Sequence, residues 1–275
     1  MLSIRTNFAG MIVQRNLSAA TKALNTALER LTTGFKLNHS KDDPANYSVM
    51  KNMESRLSAW SVAEENIAIG NNMLETADSN AELIGNHLTR IRDLCEQAAN
   101  GTYGEESVKA IKAEIAARAD EIIRIHDHAE FNGIRLFGQY DTDGNIIPKS
   151  INIQIGIDGS ESSHLAVDTS MNLRGINDIE NWDVTNPAYL DIIDDMMDTV
   201  SAYQLRVGAM QNRLECAIEL AEVNQRSLTS AISTIKDADI AKESSEFIKQ
   251  QILQQACATL LSTANQMPAI ALQLL

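Results

Sequence analysis

The feature that most constrains the fold is a row of apolar residues repeated every 3.5 positions in the C-terminal third of the chain. A repeat of 3.5 residues places its members on one stripe of a helix, and that stripe must be buried against other helices. The run covers over forty residues, or about 60 Å of helix at 1.5 Å per residue, far more than is usual in globular proteins. Its members are Ile193, Met196, Val200, Tyr203, Val207, Met210, Leu214, Ala217, Ala221, Asn224, Leu228, Ala231 and Ile235.

A second stripe with the same spacing runs from Ile67 to Ala98 and stops before Asn100-Gly101, a helix-terminating pair. A shorter helix is predicted after it, with Val108 and Ile122 on one face. Aromatic residues form only 4% of the chain, so aliphatic seams replace the aromatic core of a typical globule. We therefore predict a mainly α fold, an elongated antiparallel coiled-coil-like helical bundle.

Both ends of the chain carry shorter stripes of the same kind. The N-terminal stripe, which Gly34 ends, contains Leu17, Leu24 and Leu31. The C-terminal stripe contains Leu253, Leu260, Met267, Ile270 and Leu274. Because such short amphipathic helices are marginal alone in water, we expect them to pair with each other and then with copies of the chain. Pro268 is expected to kink or end the last helix.

The middle of the chain, at about 138–190, has a different period. Isoleucines alternate with polar residues or glycine from Ile151 to Ile157, which is the period of a strand. Asp158-Gly159 signals a tight turn, and residues 165–169 are the expected return strand. We predict a small β-hairpin region here, with loops at 141–149 and 170–187.

Several classes of function are disfavoured. The net charge of −14 argues against nucleic acid as a partner, and no apolar stretch approaches the roughly 20 residues that span a membrane. The three cysteines are widely spaced and form neither a disulfide framework nor a zinc pattern. Asp141–Asn145 resembles the start of a calcium loop, but Ile146 and Asn152 occupy the places of the required Gly and Glu. Since no catalytic motif is present, we predict no enzyme activity, no catalytic residues, no metal and no cofactor.

The motifs at the two ends are similar to those of bacterial flagellins. The C-terminal matches are Asp237-Ala238-Asp239, Gln251–Ala256, Ala264–Pro268 and the closing Leu274-Leu275. The N-terminal matches are Asn7, Asn16-Leu17, Leu31–Gly34 and Asp42–Ala45, and two further signatures are Phe131–Gly133 and Ile153–Gly156. The chain resembles a short flagellin that lacks the variable outer domains, because fewer than sixty residues separate its two helical arms.

This resemblance implies a secreted structural protein that self-assembles into the extracellular filament of the bacterial flagellum for motility. It implies export of the unfolded chain by the flagellar type III route, without a cleaved signal. The terminal helices, at 1–42 and 236–275, would form the inner core of the filament, and residues 43–235 would form a helical rod domain. The implied partners are further copies of the chain, a flagellar export chaperone, and the filament cap and hook-junction proteins.

The resemblance also implies a host partner, a flagellin-sensing Toll-like receptor. The residues that match the receptor patch of the family are Arg90, Leu94 and Glu114. Arg90 and Leu94 are four positions apart on one helix, and we expect both to lie off the buried stripe that passes through Ile91.

Two alternatives remain open at this stage. A hook-filament junction protein shares the helical ends, although the tail at Ala264–Pro268 favours flagellin. A non-flagellar coiled-coil signalling rod has similar heptads, but this chain lacks a membrane span and has flagellin-like ends.

Overall fold

The computed structural model describes residues 6–140, 146–147, 150–173, 175–176, 179 and 182–273. These residues form two compact units, one made of residues 1–57 with 226–275 and the other of residues 58–225. We call them the terminal unit and the central unit. The units divide the chain at 57/58 and 225/226, whereas the sequence suggested boundaries at 42/43 and 235/236.

The terminal unit is built on two helices, α1 (Phe8–Thr33) and α5 (Ile240–Gln273), which pack together. Asn7 caps the start of α1 by accepting a hydrogen bond from the amide of Gly10, and Gly34 ends the helix in the left-handed conformation. The predicted stop at Gly34 is confirmed. α5 continues through Pro268 to Gln273, so of the two expected effects of Pro268, a kink or an end, the helix does not show the end.

Two connecting segments lie side by side next to this helix pair. The amide of Lys36 donates to the carbonyl of Lys236 at 2.7 Å, and the amide of Ala238 donates to Gly34 at 2.8 Å. These bonds flank an antiparallel bridge between Phe35 and Asp237. The segment after α1 and the segment before α5 are thus joined by backbone hydrogen bonds, which anchors one end of the helix pair.

The central unit contains most of α2 (Pro44–Ala99) and α4 (Ala188–Lys236) together with the whole of α3 (Glu105–His128). The apolar stripe of α4 is buried from Ile193 through Leu214 to Ala221, and that of α2 is buried from Ile67 to Ala98. α2 ends at Ala99, as predicted from Asn100-Gly101. Both long heptad stripes are confirmed as the main seam of this unit.

A tyrosine lies at the centre of this seam. The ring of Tyr203 is fully buried and meets Phe137 edge-on, with 5.4 Å between ring centroids. Its hydroxyl has no hydrogen-bond partner among the residues that the structure describes. Burial raises the pKa of Tyr203 well above its ordinary value, so the group stays neutral at any physiological pH.

Three antiparallel hairpins lie among the described residues between α3 and α4. The predicted hairpin is confirmed as β5 (Ser150–Gln154) paired with β6 (His164–Asp168), in the register Ile153 opposite Leu165. The tight turn expected at Asp158-Gly159 is wrong, because residues 155–163 connect the strands and include a 3-10 turn at Glu161–Ser163. The carboxylate of Asp158 organises this longer loop by accepting from the hydroxyls of Ser160 and Ser163.

The two shorter hairpins were not predicted. β1 (Glu130–Phe131) pairs with β2 (Ile134–Arg135) around Asn132-Gly133, both of which have positive φ, as a two-residue hairpin turn requires. β3 (Gln139–Tyr140) pairs with β4 (Ile146–Ile147), so part of the expected loop at 141–149 is a strand. Residues Asp141–Asn145, the calcium-like segment, lie outside the described part of the chain.

The segment before α4 was predicted as a loop, and its described residues contribute strongly to the core. They have little regular structure, but their large apolar side chains are buried in the same cluster as the long helices. The buried residues are Met171, Leu173, Ile176, Ile179, Trp182 and Val184. A loop that buries so much apolar surface is an integral part of the central unit.

The predicted fold class is confirmed: five long helices and small antiparallel hairpins account for the regular structure of the described residues. No helix within those residues is both long and apolar enough to cross a membrane.

Candidate assembly surface

The N-terminal stripe lies on the face of α1 that packs against α5. Leu17, Leu24 and Leu31 are half-buried, and Ala20 and Ala27 between them are buried. Small side chains at these two positions let the helix backbones approach closely, while the leucines fill the margins of the seam. The structure therefore places the leucines of this stripe at the margins of the contact between α1 and α5.

The C-terminal stripe lies elsewhere than expected. Leu253 is 43% exposed and Leu260 is 55% exposed, so the expectation that they pack against α1 is wrong. The side chains of Met267 and Ile270, and the whole of Leu274, lie outside the described part of the chain. The face of α5 that turns towards α1 carries Phe247, Gln250, Gln254, Cys257, Leu261 and Ala264.

The inward face of α5 lies one position after the predicted stripe, as Gln254 does after Leu253. At 3.6 residues per turn, one residue is a rotation of about 100°. The helix is therefore turned so that Leu253 and Leu260, which we call the leucine stripe, remain accessible while Gln254 lies in the seam. Full burial of a leucine side chain stabilises by about 2 kcal/mol. Each half-exposed leucine therefore lacks roughly 1 kcal/mol of this burial energy in the single chain.

Within the described residues, three polar contacts join the two helices, and we call them the polar rungs. The side-chain amide of Asn7 donates to the carbonyl of Ala264 at 2.8 Å. The amide of Gln254 donates to the hydroxyl of Thr21 at 3.1 Å. Sequence reasoning missed these contacts, although polar residues on a heptad face adjacent to an apolar one were a signal that could have revealed them.

The third rung is an ion pair between Arg30 and Glu243, with 3.1 Å between the guanidinium nitrogen and the carboxylate oxygen. The Glu243 side chain is only 13% exposed. As the partners on α1 advance from Asn7 to Arg30, those on α5 recede from Ala264 to Glu243, which is the order of an antiparallel pair.

A cluster of charges lies beside the connecting segments. Glu54 accepts hydrogen bonds from Lys51 at 2.7 Å and from Lys236 at 3.1 Å. The first of these bonds, and then the second, hold the pKa of Glu54 below its ordinary value. Lys236 also lies over the ring of Phe35, 4.5 Å from its centroid. These contacts tie the start of α2 to the end of α4 within the terminal unit.

The terminal unit leaves many large apolar side chains accessible, on α1, on α5 and at the start of α2. Accessible apolar residues on paired helices are candidates for a protein interaction site. The exposed residues are Phe8, Met11, Ile12, Leu28, Val49, Ile240, Ile248, Ile252, Leu253 and Leu260.

The two units also differ sharply in charge. The terminal unit has twelve Lys and Arg against eight Asp and Glu, a net charge of +4. The central unit has eleven against twenty-nine, a net charge of −18. The apolar terminal helices are therefore nearly free of the self-repulsion that the acidic central unit exerts between copies.

The expected receptor patch is only partly assembled on the surface. Arg90 on α2 pairs with Glu114 on α3, with 3.4 Å between the charged atoms, and both side chains are well exposed. Leu94 is 2% exposed and belongs to the core of the central unit. The expectation that Leu94 lies off the buried stripe is wrong, because α2 buries Met73 and Leu94 in addition to the predicted stripe from Ile67 to Ala98.

Comparison with known families covers both arms of the chain. The family described as the bacterial flagellin N-terminal helical region matches residues 4–142. The family described as the bacterial flagellin C-terminal helical region matches residues 190–275. The matched ranges include α1 to α3 on one side and α4 with α5 on the other.

Similar proteins match over their whole lengths. The flagellin of Bacillus subtilis (strain 168) is 31% identical over 303 residues, with 100% of both chains covered. The flagellar filament 33 kDa core protein of Treponema phagedenis is 29% identical over 283 residues, with 99% of each covered. A solved structure of a putative flagellar hook-associated protein from Vibrio parahaemolyticus shares the fold, with a TM-score of 0.59 at 18% identity. That match covers 71% of this chain and 100% of the other.

Proposed function

This chain belongs to the bacterial flagellin family, and we propose that the paired helices α1 and α5 form the surface by which its copies join into the filament. Members of this family are structural subunits of the extracellular flagellar filament, and they polymerise with themselves.

The observation that carries the proposal is the exposure of the leucine stripe on a helix that is already paired. α5 already packs against α1, yet Leu253 and Leu260 remain exposed on it, and so do Ile248 and Ile252 nearby in sequence. A surface of this kind needs a partner. In a helical homopolymer every neighbour presents the same two helices, and a head-to-tail contact that does not close on itself generates a filament.

We extend the proposal to the route of assembly. The chain leaves the cell unfolded through the flagellar type III route, and an export chaperone covers the C-terminal apolar stripe beforehand. The filament cap and the hook-junction proteins then contact the growing end. The exposed apolar residues of α1 and α5 support this because they would otherwise promote premature association.

Seeded growth, followed by electron microscopy, tests the proposal. The full chain is added to short filament seeds, beside a version that lacks residues 1–42 and 236–275. We expect filaments from the full chain and monomers from the truncated one. Growth of the truncated version would refute the role of the terminal helices. A full chain that binds hook ends but never elongates filaments would instead support the junction-protein alternative.

We also propose that the exposed pair Arg90 and Glu114 contributes to recognition by a flagellin-sensing Toll-like receptor. Their 3.4 Å contact presents two of the three patch residues together on the surface formed by α2 and α3. Leu94 would act only indirectly, by packing α2 beneath Arg90.

Substitution Arg90→Ala should weaken receptor signalling several-fold without unfolding the central unit. The matched control is Lys109→Ala, because Lys109 on α3 is highly exposed and pairs only locally with Glu106. A reporter assay of receptor activation measures both variants. Equal signalling by Arg90→Ala and the unaltered chain would exclude Arg90 from the receptor contact.

A further inference from the structure

We infer that the three polar rungs fix the rotation of α5 about its own axis and thereby keep the leucine stripe available to a second copy of the chain. The inference rests on the proposed function, in which that stripe is a docking surface. It assigns Asn7, Thr21, Arg30, Glu243 and Gln254 as positioning residues, which act on assembly without lying on the docking surface itself.

Hydrophobic burial alone does not explain the observed rotation. A turn of α5 by one residue, about 100°, would place Leu253 where Gln254 now lies and Leu260 where Leu261 lies. The same turn would place Glu246 where Phe247 now lies, so the apolar area that Leu253 adds to the seam is offset by the loss of Phe247. Because apolar burial is non-directional and proportional to area, something other than apolar contact must hold α5 in its present orientation.

The rungs supply that preference because each of them is lost if α5 turns. The Glu243 side chain is only 13% exposed beside Arg30, and a carboxylate with so little access to solvent is destabilising when it loses its partner. Gln254 would leave Thr21, whose hydroxyl also donates to the carbonyl of Leu17 at 2.9 Å. Polar residues in helical seams are known to specify one arrangement at some cost in stability.

The polar rung at the N-terminus of α1 uses both polar atoms of one side chain, that of Asn7. The oxygen of the Asn7 side chain caps α1, and its nitrogen reaches Ala264 on α5. A Cβ at Gly10 would lie 2.9 Å from the Asn7 side chain, so glycine provides the room for it. One asparagine thus fixes the helix start and its partner together.

The consequence for assembly is specific. A chain without rungs should lose its preference for the present orientation of α5, populate the turned orientation that buries the leucine stripe, and present less of the docking surface. Its terminal unit remains helical, so the defect lies in presentation of the surface and not in folding.

The first test compares growth rates from filament seeds. We expect Glu243→Ala with Gln254→Ala to slow growth at least tenfold. The control, Glu246→Ala with Gln255→Ala, changes the same residue types on the same helix. Glu246 bonds only to Lys249 and Gln250 within α5 in the described structure, and Gln255 is exposed. The control should grow within twofold of the unaltered chain, and an equal defect in both would overturn the inference.

A charge exchange strengthens this test. Arg30→Glu and Glu243→Arg should each slow growth, and the two together should restore it to within threefold of the unaltered chain. Failure of the double variant to recover beyond either single variant would exclude the ion pair as a positioning contact.

The second test maps the rotation directly by disulfide formation. Thr21→Cys is combined with either Gln254→Cys or Leu253→Cys in a chain whose Cys216 and Cys257 are replaced by alanine. Cys95 is retained, because burial raises its pKa to about 11 and little thiolate is available to compete. Mild oxidation should close the bridge to position 254 and not the bridge to position 253.

Removing the other two rungs, with Asn7→Ala and Glu243→Ala, should shift closure from position 254 towards position 253. A merely loosened pair would lower both yields together, and an unchanged preference for position 254 would show that the rungs do not set the rotation. Either result overturns the inference. This assay does not need filaments, so failure of the unaltered chain to grow from seeds would refute the proposed function separately.

Discussion

Truncation of the leucine stripe is the perturbation whose size follows most directly from the structure. Leu253 and Leu260 are 43% and 55% exposed, so docking of a second copy can bury about half of each side chain. With about 2 kcal/mol for a fully buried leucine, each contributes roughly 1 kcal/mol to the contact. The double variant Leu253→Ala with Leu260→Ala should therefore weaken the contact by about 2 kcal/mol, which is roughly a 30-fold rise in the critical concentration for growth.

The free chain should stay folded, because each leucine is only about half-buried within it. We expect its free energy of unfolding to fall by no more than about 2 kcal/mol. Sedimentation of filaments grown from seeds at graded protein concentrations gives the critical concentration. The control is Gln251→Ala with Gln255→Ala, which alters two exposed positions of the same helix. A critical concentration for the leucine variant within twofold of the unaltered chain would refute the reasoning, and so would an equal rise in the control.

Three further predictions concern stability and charge. Tyr203→Phe should raise the free energy of unfolding in urea by about 1 kcal/mol, because it removes a buried hydroxyl that has no partner among the described residues; a loss of stability would contradict this. Gly70→Val should lower that free energy by about 1–3 kcal/mol, because a Cβ there would lie 2.6 Å from Ile153, and an unchanged urea midpoint would disprove the close approach. The lysine contacts lower the folded-state pKa of Glu54, so its stabilisation is present above its ordinary pKa and is lost as the pH falls through the folded value. The deficit of Glu54→Gln in urea unfolding at pH 7 should accordingly shrink as the pH falls below the ordinary pKa of a glutamate and vanish below the folded-state pKa, and a deficit independent of pH would exclude an electrostatic origin.

The long helices of the central unit were predictable because each has one apolar face, which packs into a core shared with several other elements. The stripe from Ile193 to Ala221 has a single orientation that buries its side chains, and the structure adopts it. Asn100-Gly101 and Gly34 marked helix ends because their backbone preferences act locally. Where local preference and apolar periodicity agree, the sequence determines the element.

The errors arose where tertiary packing decides between local alternatives. Leu94 is buried because α2 buries a face wider than one heptad line. The segment that contains Trp182 has no regular spacing of apolar residues, so the sequence alone did not predict its contribution to the core. The connection after β5 is longer than its Asp-Gly pair suggested, because Asp158 binds serines further along instead of closing a two-residue turn.

The orientation of α5 shows most clearly what a heptad pattern leaves undecided. Periodicity tells which residues share a face, but α5 carries apolar residues on more than one face, with Phe247 and Leu261 inward and Leu253 and Leu260 outward. Hydrophobicity alone ranks these faces nearly equally, so the choice falls to a few polar contacts that periodicity treats as interruptions. A subunit that must pair its own helices and still bind its neighbours needs such a residual apolar face, and the interruptions in the seam are what preserve it.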